Sequence, residues 1–129
     1  MFSFSKQERL CSYSRINELF AKGESFFVYP FRVHYLLNKQ GMGMNKVLVV
    51  CPKRNHKHAV ERNLIKRRIR EAYRLNNNDL KLLSKQENFD IDFSISYTSK
   101  EVLPFQLIEE KVKEVLETLA NTVFNSQKV

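Results

Sequence analysis

Ala59-Val60-Glu61-Arg62-Asn63-Leu64-Ile65-Lys66-Arg67-Arg68-Ile69-Arg70-Glu71-Ala72-Tyr73-Arg74 has helical period and two chemically distinct sides. With Val60 at 0° and about 100° per residue, Leu64, Ala72, Ile65 and Ile69 fall between about 40° and 180°, with Val60 at the edge. Arg62, Lys66, Arg70, Asn63, Arg74 and Arg67 occupy the arc from about 200° to 340°. One side is built to pack and the other to carry cations. Arg68 and Glu61 lie among the apolar positions and are expected at the margin of whatever the helix packs on. Arg62, Lys66, Arg70 and Arg74 stand four residues apart and repel by a few tenths of a kcal/mol per pair. Glu61 and Glu71 lie elsewhere on the wheel, so an external polyanion is the expected source of neutralisation.

The charge is as localised as the pattern. Between Lys53 and Arg74, nine Lys/Arg face two acids, a net of +7; the rest of the chain holds 13 bases and 12 acids and adds only +1 of the total +8. A positive field focused on a rigid element attracts nucleic acid, because each neutralised phosphate releases condensed counterions. Arginine suits that task, since its planar fork bonds phosphate bidentately and stacks on bases. Asn63 adds an amide able to bond a base edge or a 2′-hydroxyl. Lys53 and Arg54 place two further cations just before the helix. The rival use of a basic amphipathic helix is an anionic membrane surface. Here the apolar arc holds only small and medium aliphatics, without Trp or Phe, and strand-like segments on both sides can bury it.

Working outward, Ser12 or Ser14 caps a short helix ending near Lys22, with Gly23 as its stop and Ile16, Leu19 and Phe20 at helical spacing. Extended segments follow at Ser25–Tyr29 and Phe31–Leu37, parted by Pro30. The second alternates Phe31, Val33, Tyr35 and Leu37 against Arg32 and His34. Beyond a turn with Gly41, Gly43 and Asn45, Lys46–Cys51 reads as a β-branched strand, and the basic helix runs from His58 to Leu75. Asp79–Gln86 offers another helical turn or two. Phe89–Thr98 alternates Phe89, Ile91, Phe93, Ile95 and Tyr97 with Asp90, Asp92, Ser94 and Ser96, a strand with one buried face. Pro104 opens a last helix striped by Leu107/Ile108, Val112, Val115/Leu116, Leu119 and Val123. The order is α-β-β-β-α-β-α, an α+β fold expected as a single domain spanning residues 1–129.

Composition excludes several classes. A 43% apolar content with ten Phe supports an ordinary core rather than disorder. The longest apolar runs, such as Val47–Cys51, are far too short to span a bilayer. The N-terminus lacks a charged region followed by a long apolar one, so a cytoplasmic protein is expected. Cys11 and Cys51, without CxxC spacing, read as two reduced structural thiols. His56 and His58 at i,i+2 make a poor metal site and are expected to add donors to a phosphate-binding loop. Asp90 and Asp92 share a strand face without an identifiable third acid, which weighs against a self-sufficient metal-dependent nuclease.

The run from Ala59 to Arg74 resembles the Arg-Asn motif of the protein subunit of bacterial ribonuclease P, Ala-Val-x-Arg-Asn-x-x-Lys-Arg-x-x-Arg. The resemblance extends to Arg9-Leu10, the Phe20-x-x-Gly23 helix end, the Phe31–Leu37 segment and Asp90 opening the late strand. It implies an α/β sandwich of the ribosomal protein S5 domain 2-like type, with a mostly antiparallel four-stranded sheet and a left-handed β-α-β crossover, against the usual hand. It also implies a protein without catalytic residues of its own. The partner, the ribonuclease P catalytic RNA, would perform Mg²⁺-dependent removal of the 5′ leader from precursor tRNA, holding the Mg²⁺ mainly itself, with one protein per RNA and no membrane partner. Arg62, Asn63, Lys66, Arg67, Arg70 and Arg74, with Lys53 and Arg54, would contact RNA. Phe20 and Tyr35 would stack leader bases in a cleft. The chain departs from the pattern at Ile16, where an aromatic is usual, and at Asn55-His56-Lys57-His58, one residue longer than usual and without glycine. The alternative is a non-enzymatic RNA-binding protein such as a ribosomal component.

Overall fold

The computed structural model describes residues 9–38, 41 and 43–126; the stretch read for a targeting signal lies outside them, apart from Arg9. The elements are α1 (Tyr13–Lys22), β1 (Glu24–Val28), β2 (Phe31–Asn38), β3 (Asn45–Val50), α2 (Ala59–Asn76), α3 (Asn78–Glu87), β4 (Asp90–Tyr97) and α4 (Phe105–Ser126). This is the expected order with one addition. The turn or two expected near Asp79 is a ten-residue helix, set off from α2 by Asn77 and ended by Asn88 in the left-handed region at φ 58°. Gly23 ends α1 in an extended conformation. It must be glycine for want of space: a Cβ there would lie 2.4 Å from the Leu19 carbonyl oxygen and 2.7 Å from that of Tyr35.

The strands form one sheet in the order β1-β2-β4-β3. β1 with β2 and β2 with β4 are antiparallel, whereas β3 and β4 are parallel. A parallel pair needs a crossover, and α2 with α3 supplies it, completing a β-α-β unit. Strand alternation sorts the sheet into two faces. Phe31 and Val33, with Val47, Val49, Ile91, Phe93, Ile95 and Tyr97, form the core with Ile65, Ile69, Ala72 and Tyr73 of α2 and the apolar stripe of α4.

The opposite face is covered in part by α1. Leu19 is fully buried, and Arg15 makes a bidentate pair with Asp92, Nε to Oδ2 at 2.9 Å and Nη2 to Oδ1 at 2.6 Å. The expectation of one buried face on the late strand is thereby corrected: Asp92 and Ser94 are also buried. Burial holds the Asp92 carboxyl above the usual carboxylate range, and the Arg15 guanidinium only partly offsets that effect.

Candidate nucleic-acid interface

Helix α2 keeps the two sides read from its sequence, with three changes. Val60 is 84% exposed, outside the core, while Tyr73, within the cationic arc on the wheel, is fully buried with its ring 5.8 Å from that of Phe93. Arg68 sends Nη1 to the Leu103 carbonyl at 2.7 Å and so tethers the segment leading into α4. Glu71 does meet a cation, contrary to expectation. It accepts two bonds from Arg74, at 3.1 and 2.5 Å, and this pairing holds its carboxyl below the ordinary range.

The cations divide into two groups. Asn63, Arg67, Arg70 and Arg74 line an open hollow of about 410 Å³ together with Arg9, which arrives from the segment bridged to Val47 on β3. Burial lowers the Arg70 guanidinium from its ordinary value, and the Arg9 cation pushes it further the same way. An anion placed between them would favour the charged form and so oppose both effects. Four arginines and one acid, Glu71, line this hollow, a donor set whose planar forks suit an oxyanion. The resemblance includes Arg9 without giving it a role, and only the fold brings it beside α2.

Arg62 has different work. Its Nη1 donates to the carbonyls of His56 and Lys57, at 2.9 and 2.8 Å, holding the loop before α2. Lys66 and Arg62 both stand near the buried Cys51, whose thiol burial pushes up and these two cations pull down. Lys53 and Arg54 are exposed on the turn after β3. Cys11 is exposed, so it has no part in a core.

His56 overturns its expected role as a phosphate donor. Its residue is 2% exposed, with Nδ1 at 2.5 Å from Glu61 Oε1 and Nε2 at 2.7 Å from the Ser99 carbonyl. Tyr97 lies alongside, ring centroids 5.7 Å apart. The longer loop without glycine is therefore closed by a buried ring that locks it to α2 and to the segment after β4. His58 is exposed at the N-cap of α2.

The expected cleft is only half as predicted. Phe20, 46% exposed, lies on the α1 side of the sheet, edge-on to His34 at 5.0 Å. Tyr35 does not join it. Neighbouring strand residues point to opposite faces, so Tyr35 packs on the α4 side against Phe26 and bonds Glu24 Oε2 at 2.8 Å. His34 takes the place assigned to Tyr35. Burial and the nearby Arg32 cation lower its imidazole below 6.5, and its Nδ1 has no hydrogen-bond partner among the described residues. Ile16 stands half-buried one turn before Phe20.

The two acids of the late strand are engaged structurally, Asp92 by Arg15 and Asp90 by the Met44 backbone N–H at 2.9 Å. Among the described residues no three His, Cys, Asp or Glu side chains come together in a way that could hold a metal ion. No described helix is long and apolar enough to cross a membrane.

A cationic helix face, an arginine-lined hollow and a sheet face carrying exposed aromatics define a protein of the RNA-binding class. The chain matches the Ribonuclease P family model over residues 4–120. It is 34% identical over 126 residues to the ribonuclease P protein component of Porphyromonas gingivalis, covering 97% of this chain and 92% of that one. It therefore belongs to the ribonuclease P protein family. Solved structures agree on the fold. The ribonuclease P protein of Thermotoga maritima superposes with a TM-score of 0.64 at 26% identity, covering 86% of this chain and 96% of that one. That of Staphylococcus aureus gives 0.68 at 23% identity, covering 88% and 96%.

Proposed function

We propose that this chain is the protein subunit of ribonuclease P, binding the catalytic RNA on the cationic face of α2 and the unpaired 5′ leader of precursor tRNA between α1 and the sheet. The observation that carries it is the hollow where Asn63, Arg67, Arg70 and Arg74 meet Arg9, in a chain of this family. Family membership favours this reading over a ribosomal component. The protein supplies binding and orientation and contributes no catalytic residue. Mg²⁺ is held mainly by the RNA, in keeping with Asp90 and Asp92 already being engaged by Met44 and Arg15. Lys53 and Arg54 extend the cationic surface, and Arg62 orders the loop that carries them. One protein per RNA, in the cytoplasm, acting as a single domain, completes the assignment.

Reconstitution tests it. Protein and a matched ribonuclease P RNA, mixed with precursor tRNA at low Mg²⁺, are expected to cleave faster than RNA alone, while the protein alone is inert. Cleavage by protein alone, or no stimulation of the matched RNA, overturns the reading.

A further inference from the structure

Beside the Phe20–His34 pair the same sheet face continues as a ladder of rings and cations. Arg32 precedes His34 by two residues on β2 and therefore shares its face. Its guanidinium carbon lies 5.3 Å from the centroid of the Phe27 ring, directly across the β1–β2 pair. Phe27 in turn meets Tyr29, centroids 6.3 Å apart and ring planes inclined at 60°. Phe27 is 48% exposed and Tyr29 57%, so both rings offer open surface. The register extends the row: Phe27 pairs with Arg32, Arg32 with Ser96, and Ser96 with Val50. Val50 leads within four residues into Lys53 and Arg54. Three strand spacings of about 4.8 Å make this row about 14 Å long, running from an aromatic edge to a cationic turn.

We infer that Phe27, Tyr29 and Arg32 form a second stacking station for single-stranded RNA, which takes leader nucleotides lying beyond those held at Phe20 and His34. This rests on the proposed function. Three observations favour RNA over other occupants: continuity with the Phe20–His34 site, the alternation of rings with a cation, and the positive charge at the row's far end. Rings accept any base through their π-faces, and Arg32 meets the phosphate between them or stacks in its own right. The station therefore favours leader length over leader sequence.

The holoenzyme, assembled with its catalytic RNA, is titrated with precursor tRNAs whose leaders are shortened one nucleotide at a time. Wild type is expected to gain affinity in two stages as the leader lengthens. Phe27→Ala and Tyr29→Ala remove only the later stage, costing about fivefold or more on long leaders. Phe27→Trp keeps it. Arg32→Gln flattens the salt dependence of the long-leader substrates alone. Photo-crosslinking from a thiouridine in the distal leader is expected to label the β1–β2 hairpin, a readout that fold stability does not move. Equal losses on mature tRNA, reduced affinity for the catalytic RNA without substrate, or no effect of Phe27→Ala while Phe20→Ala remains damaging would each overturn the station alone. If Phe20→Ala is also without effect on leader-bearing substrate, the leader cleft of the proposed function falls with it.

Discussion

At the scale of single residues, His34 is where the protein's chemistry meets the ordinary pH range. Burial and Arg32 depress its imidazole, so the free protein holds it neutral near pH 7. A phosphate nearby favours the charged form, so the bound state's value lies above the free one. Affinity for leader-bearing substrate is therefore expected to rise as pH falls from the bound-state value to the free-state value, and to level off below it. One added charge at contact distance is worth about 1 kcal/mol in water, roughly fivefold. His34→Phe keeps a ring beside Phe20 and is expected to abolish that slope. The check is the ratio of affinities for precursor and mature tRNA between neutral and mildly acidic pH; an unchanged slope in the variant removes His34 from the cleft. Fold stability carries the opposite sign. A histidine whose folded value is depressed loses stability as pH falls below its unfolded value, so folding is to be monitored in parallel.

At the scale of elements, the docking of α1 decides whether a cleft exists, and Arg15 with Asp92 fixes that docking. Arg15→Met leaves a largely buried carboxylate without its partner and is expected to destabilise the fold by about 1–3 kcal/mol at neutral pH. The Asp92 carboxyl is already raised above its unfolded value, and losing Arg15 raises it further. A carboxyl raised on folding costs stability above its folded value and nothing below its unfolded value. The penalty should thus shrink as the solution is acidified into the carboxylate range, which denaturant titrations at several pH values would measure. A penalty independent of pH would assign the effect to lost packing of the Arg15 stem. The same pair marks the limit of sequence reading. Alternation identified two of the four strands and set His34 opposite to Tyr35, but nothing local says which face a helix 77 positions away covers. Asp92 and Ser94 thus read as solvent-facing. The same holds for His56, whose second acceptor belongs to Ser99, 43 residues on. Helix α2 was legible because its two sides are written in one contiguous stretch, whereas Arg9, already part of the resemblance, gains its place beside α2 only through the fold.

At the scale of the whole molecule, the two candidate RNA surfaces lie on separate parts of the fold and should fail separately. The hollow of Arg67, Arg70 and Arg74 is built by α2 with Arg9, and the Phe20–His34 cleft by α1 on the sheet. Arg70→Ala removes a cation whose neighbours already repel it, so the fold is expected to tolerate the change while the RNA contact is lost. Each phosphate contact removed reduces the salt slope of binding by about 0.7–0.9. That loss should appear in assembly with the catalytic RNA and be the same for every substrate. Phe20→Ala removes a stacking surface worth about 1–3 kcal/mol per base and leaves the charge unchanged. It should weaken precursor binding, spare mature tRNA and leave the assembly salt slope as it was. Independent sites with no shared partner add in free energy to within about 0.5 kcal/mol. The double variant is therefore expected to show the sum of the two losses on precursor tRNA. A shortfall well beyond that margin would mean that one RNA segment spans both surfaces, and a loss of precursor discrimination in Arg70→Ala alone would place the leader on α2.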